Sequence, residues 1–176
     1  EARQKDKTQL KIQLNPSLAG TLLDALPYLA EFPYGCIEQT TSRFVPAMIT
    51  AHTLKKMKIN LKDLGKQGLN GQVLSTKNPV ADANELQAMI NTGLKRHYHF
   101  QNPDGGWGWW SGYKSDPYMT AYVLYALQMA KETEPGIKQQ IIDKGLAFLK
   151  TSFKKTSVGN RQAFQAYVLS IQRKIS

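Results

Sequence analysis

From Gln9 to Leu14 the side chains alternate, with Leu10, Ile12 and Leu14 on one face and Gln9, Lys11 and Gln13 on the other. A period of two predicts a short strand with one buried face. Asn15 and Pro16 then read as a helix cap followed by proline at the first helical position. Leu18, Leu22, Leu23 and Leu26 give that helix an apolar stripe, and Pro27 is expected to stop or kink it. Pro33 to Gly35 reads as a turn. A second helix opens at Cys36 and runs to about Lys58, with Phe44, Met48, Ala51 and Met57 on its buried side and Pro46 as a bend.

The stretch from Leu61 to Pro79 is rich in Gly, Asn and Lys and reads as loop with one short helical turn. Asp82 to Gln101 has a clear helical period, marked by Leu86, Met89, Ile90, Leu94 and Tyr98. An aromatic and glycine-rich connection follows from Asn102 to Pro117. Three more helices are expected, at about Tyr118 to Lys131, Gly136 to Lys150 and Arg161 to Arg173. INTGL (Ile90 to Leu94) returns as IDKGL (Ile142 to Leu146), and AYVL (Ala121 to Leu124) returns at Ala166 to Leu169. A repeating helix pair suggests a solenoid or a closed ring of helical hairpins.

Composition narrows the options. At 176 residues, 41% hydrophobic and 20% charged, the chain can bury an ordinary core. It contains no apolar run long enough to span a membrane. The opening EARQKDKTQLKIQL lacks the apolar region of a signal peptide, and the missing initial Met leads us to expect a piece of something longer. The net charge is +10, with basic clusters at Leu54 to Lys66 and Lys150 to Lys155. These lysines are not interleaved with aromatics, and no nucleic-acid motif is present, so a solvated surface is the simpler reading. One cysteine makes no internal disulfide, and no Cys/His spacing suggests a metal site or other cofactor.

That one cysteine carries the candidate chemistry. With Gly35 in a turn and Cys36 in the first helical turn, Cys36 and Gln39 share a face. The sulfur can then approach the Gln39 carboxamide, where helix N-terminal amides favour thiolate and oxyanion alike. Attack with loss of ammonia would form an internal thioester. Glu38 lies on another face, its charge suited to the positive end of the helix. C-x-E-Q is a short pattern, and it equally permits a buried, inert thiol. A Cys–His pair is a third reading. His52, however, is too far along the same helix, and His97 and His99 read as helix-surface residues elsewhere.

PYGCIEQTTSRFVP (Pro33 to Pro46) resembles the thioester motif of the alpha-2-macroglobulin and complement family, in its bacterial form. NPSLAGTLLDALPYL (Asn15 to Leu29) and DGGWGWWSGYKSDPYMTAYVLYAL (Asp104 to Leu127) also resemble that branch, in the right order. The likeness runs from about Leu10 to Leu149. It implies an all-α fold, an alpha/alpha toroid with two concentric helix layers, here roughly its first half. Residues 1–14 would close a flanking beta, CUB-like, segment and contribute its short strand; residues 15–176 would be the thioester domain.

The same resemblance implies that Cys36 and Gln39 form the thioester, with Gly35 allowing the tight turn. Tyr34, Tyr118 and Met119 are the best candidates for side chains that keep the bond dry. It further implies an endopeptidase inhibitor rather than an enzyme. In such a protein, cleavage of a bait segment elsewhere exposes the bond, and lysine amines of the attacking protease open it. Neighbouring domains of a larger chain would be partners, and the periplasm or cell envelope the location. Two rivals stay open: a toroid that binds without a formed thioester, and a toroid enzyme, for which Asp104 and Asp116 are sparse carboxylates.

Overall fold

The computed structural model describes residues 35–56, 58, 83–131, 133–155 and 157–175. The expected strand, the helix after Asn15, the boundary after Leu14, Tyr34 and the Leu61 to Pro79 segment lie outside them. The described residues form helices α1 (Ile37–Lys56), α2 (Ala83–Phe100), α3 (Pro117–Ala130), α4 (Gln139–Phe153) and α5 (Asn160–Ile175). The expected all-α class holds, and the helical boundaries lie close to those the apolar periodicity marks.

Helix α3 is the hub. It packs against α1, α4 and α5, while α1 also packs on α2 and α4 on α5. Its sequence explains the position: Met119, Ala121, Val123, Leu124, Ala126, Leu127 and Ala130 are buried, along with Thr120 and Gln128. A helix that is apolar nearly all round has to be covered on several sides. By contrast α2 buries only one stripe, centred on Leu86, Ile90, Gly93 and His97. An inner helix flanked by one-sided outer helices is the arrangement that a two-layered ring of hairpins requires.

The start of α3 is written locally. Asp116 is extended, and its Oδ1 accepts the amides of Tyr118 and Met119, each at 2.8 Å, with Pro117 at the first helical position. This is a side-chain N-cap followed by the residue that loses nothing there. Pro46 lies inside α1, which continues through it. Lys58, just past α1, has a left-handed φ of 55° and its amide returns to the Lys55 carbonyl.

The sequence repeat has a packing reason. A Cβ at Gly93 would come within 2.7 Å of the Phe44 ring, and one at Gly145 within 2.7 Å of the Trp107 ring. In both helices the glycine admits an aromatic ring from another element. The AYVL repeat is less exact in environment. Ala121, Val123 and Leu124 are fully buried, whereas Tyr167 is 54% exposed.

Candidate functional site

Cys36 sits immediately before α1, as its N-cap rather than in its first turn. Its carbonyl accepts the first helical bond, from the Thr40 amide at 3.1 Å. The Gln39 amide donates to Cys36 Sγ at 3.4 Å, and the Cys36 amide donates to Gln39 Oε1 at 3.2 Å. This reciprocal pair is a capping box, with sulfur in place of the usual hydroxyl. The same geometry that satisfies two orphan amides places a thiol and a carboxamide together. Cys36 is buried and unpaired by any disulfide.

Gly35 matters here through space. A Cβ at this position would collide with Gln39 Oε1, and it would touch the Trp110 ring at 3.5 Å. Only a residue without a side chain lets the carboxamide oxygen lie over the Cys36 amide.

The aromatic connection between α2 and α3 supplies the other wall. Trp107 is fully buried, and its indole N–H donates to the His97 carbonyl at 2.7 Å. Its amide donates to Thr120 Oγ1 at 2.9 Å, and its carbonyl accepts the Asp116 amide at 2.9 Å. From this anchor the chain delivers the Trp109 carbonyl to the Ile37 amide, 2.9 Å away. The loop thus caps another orphan donor of α1, one residue from Cys36. Trp109 and Trp110 remain about half exposed, and Tyr113 more so.

Asp104 and Asp116, the carboxylates weighed for an enzyme, are both engaged in local hydrogen bonds. Asp104 Oδ1 accepts the Gly106 amide at 3.0 Å and the Ser115 hydroxyl at 2.7 Å, and Asp116 caps α3. Among the described residues no cluster of His, Cys, Asp and Glu could hold a metal ion. No described helix is long and apolar enough to cross a membrane.

The histidines divide. His97 is not the surface residue expected from sequence: it is fully buried between α2 and α1. Its Nδ1 lies 2.7 Å from the Gly93 carbonyl, which can only accept, so Nδ1 carries the proton. Nε2 faces the Thr41 hydroxyl at 3.0 Å, and the Phe44 ring packs edge-on at 5.0 Å. Burial lowers its pKa from 6.5 to about 4; the Gly93 bond opposes this and the Arg96 charge adds to it. It therefore touches the Cys36 helix, at Thr41. His99 is exposed and edge-on to Phe100.

Two side chains from other helices, Arg96 and Tyr122, frame the site at positions that spacing does not announce. Arg96 Nη2 donates to the Gly35 carbonyl and Nε to Thr40 Oγ1, both at 3.2 Å. On the other flank Ser42 donates to Glu38 at 2.7 Å and lies 3.2 Å from the Tyr122 hydroxyl. Serine has one proton and gives it to the carboxylate, so Tyr122 is the donor to Ser42. Burial raises the Tyr122 pKa, with the Ser42 bond opposing and Glu38 adding; it remains a neutral phenol. Of the expected shield, Met119 is fully buried in the core, while Tyr118 is 39% exposed and packs on Phe164 and Arg161.

Comparison with known proteins gives a consistent set. The model of the A-macroglobulin TED domain family matches residues 12–173. Alpha-2-macroglobulin of Thermotoga maritima is 28% identical over 161 residues, covering 92% of this chain and 8% of that protein. Thioester-containing protein 1 of Anopheles gambiae is 23% identical over 142 residues, 81% of this chain and 9% of that one. A structure of Salmonella alpha-2-macroglobulin reacted with methylamine aligns over 91% of this chain and 10% of its own, at 25% identity and a TM-score of 0.63. The native conformation of Escherichia coli alpha-2-macroglobulin shares the fold, with a TM-score of 0.61 over 87% of this chain and 9% of its own, at 23% identity. The chain spans under a tenth of the length of these curated relatives.

Proposed function

This chain belongs to the A-macroglobulin TED domain family, and from that premise we propose that Cys36 and Gln39 form an internal thioester that serves as a single-use acyl donor. The reciprocal Cys36–Gln39 pairing carries the reading. A cap alone would be served better by a hydroxyl, whereas a thiol held against a carboxamide is what thioester formation requires. Bond formation joins Sγ to the Gln39 side-chain carbon and releases the amide nitrogen as ammonia, which takes the thiol proton. The product stores acyl reactivity for an amine.

In this reading the domain is part of an endopeptidase inhibitor, not an enzyme. A protease that cuts the parent protein would be captured through its lysine amines, as the bond becomes accessible. Neighbouring domains of the parent are its permanent partners, and the periplasm or cell envelope is its place of work.

The test is intact mass of the full-length protein before and after methylamine. The expected result is a mass short by one ammonia, then a gain of one methylamine together with one new free thiol. A mass that matches the unmodified sequence, with no methylamine uptake, overturns the reading.

A further inference from the structure

We propose that Arg96 is a positioning residue for this chemistry, acting through the Gly35–Cys36 peptide group; the inference rests on the thioester reading. Arg96 Nη2 donates to the Gly35 carbonyl at 3.2 Å. The amide of that same peptide group, Cys36 N–H, donates to Gln39 Oε1 at 3.2 Å. The guanidinium, one peptide plane and the reacting carboxamide are therefore linked end to end. A cation at the carbonyl draws electron density towards the oxygen and leaves the N–H a stronger donor.

The direction of that donor is what matters. When Sγ adds to the Gln39 carboxamide carbon, the carbonyl π pair moves onto Oε1. Collapse expels the nitrogen as ammonia with the thiol proton. When an amine later opens the thioester, its nitrogen bonds to the same carbon and the pair again moves onto Oε1. The C–S bond then breaks, and Cys36 leaves with a proton from the amine. Both intermediates carry their charge on the atom at which Cys36 N–H points, which makes this amide the oxyanion donor.

Arg96 also fixes the frame. Its Nε donates to Thr40 Oγ1 at 3.2 Å, and Thr40 donates to the Cys36 carbonyl at 3.0 Å. The peptide groups on both sides of Cys36 are thus tied, directly or through Thr40, to one side chain of α2. The Phe100 ring lies 5.1 Å from the guanidinium carbon and supports its plane.

The experiment uses the full-length protein with Arg96→Met and Arg96→Lys. Thioester content is read by intact mass, and the rate of methylamine-triggered thiol release is read per thioester-bearing chain. Arg96→Met keeps the stem over Phe100 but loses the cation, and should react about tenfold more slowly, less than the roughly 10²–10³ that follows loss of a whole oxyanion donor. Arg96→Lys keeps a cation without the fork and should be about threefold slow. A role in stability alone would lower the thioester content and leave the surviving chains at the wild-type rate or faster, and that outcome overturns the proposal. If Arg96→Met carries no thioester, the lysine variant decides by the same rate. A wild type with neither ammonia deficit nor thiol release removes the thioester reading and this inference together. A reactive wild type with unchanged variants removes this inference only.

Discussion

At the scale of single residues, the proposed thioester site is built on a helix cap. Sulfur is a weaker acceptor than a hydroxyl, so Cys36 is a poor choice if capping is all that is wanted. Cys36→Ser should therefore hold α1 at least as well as wild type, whereas Cys36→Ala should cost about 1 kcal/mol through loss of the cap. Both should lose amine uptake completely. Gly35→Ala is the complementary case: its methyl group displaces Gln39 Oε1, so amine uptake should fall although the thiol is intact. Chemical denaturation and methylamine incorporation, measured on the same samples, separate the two effects. A Cys36→Ser protein that still takes up methylamine would show that the acyl donor lies elsewhere.

At the scale of elements, α1 is held by contacts that converge from two helices and a loop. His97 and Arg96 reach it from α2, Tyr122 from α3, and the Trp109 carbonyl from the connection between them. The buried His97 makes the α1–α2 contact pH-sensitive. Folded His97 stays neutral down to about 4, while the unfolded imidazole takes a proton below its ordinary 6.5. Between those values the unfolded state binds more protons, so stability falls as pH falls through that window. The loss should approach about 3 kcal/mol and then level off. Urea midpoints across the window should show this slope, and His97→Gln should flatten it. A wild-type slope no steeper than that of the variant would mean that His97 does not titrate as its burial dictates.

At the scale of the whole molecule, the arrangement of the histidines bears on which nucleophile opens the bond. A hydroxyl is a poor nucleophile near neutral pH and needs a base, whereas the unprotonated fraction of an amine does not. His97 is fully buried, with both ring nitrogens engaged. His52 stands about 22 Å along α1 from Ile37 at the helical rise per residue, His99 is exposed and packs on Phe100, and α3, α4 and α5 contain no histidine. No described histidine hydrogen-bonds Cys36 or Gln39, so the proposed thioester should favour amines over hydroxyls. Opening the full-length protein with a protease, in equal glycerol and small-amine acceptor, gives adducts whose masses report the ratio. A dominant ester at Gln39 would show that some other group supplies the base.

Much of this was legible in one dimension, because periodicity and short motifs are local. The helices α2 to α5 follow from apolar spacing, and the Cys36–Gln39 pairing from a three-residue offset at a helix start. Apolar spacing puts the start of α3 at about Tyr118, one residue late, because the cap that Asp116 makes ahead of Pro117 reads in sequence as part of the connection. The recurring glycines were visible too, although their reason, an aromatic ring pressed on each, was not. What only the tertiary structure decided depends on residues far apart in sequence. That Arg96 grips the Gly35 carbonyl, that His97 is buried on Thr41 and that Trp109 caps Ile37 could not be read from spacing. Each joins elements separated by some tens of residues, and a side chain's partner across such a gap is set by how helices pack. The same holds for burial: a histidine on an amphipathic helix looks like a surface residue until a second helix supplies the hydroxyl that pairs with it.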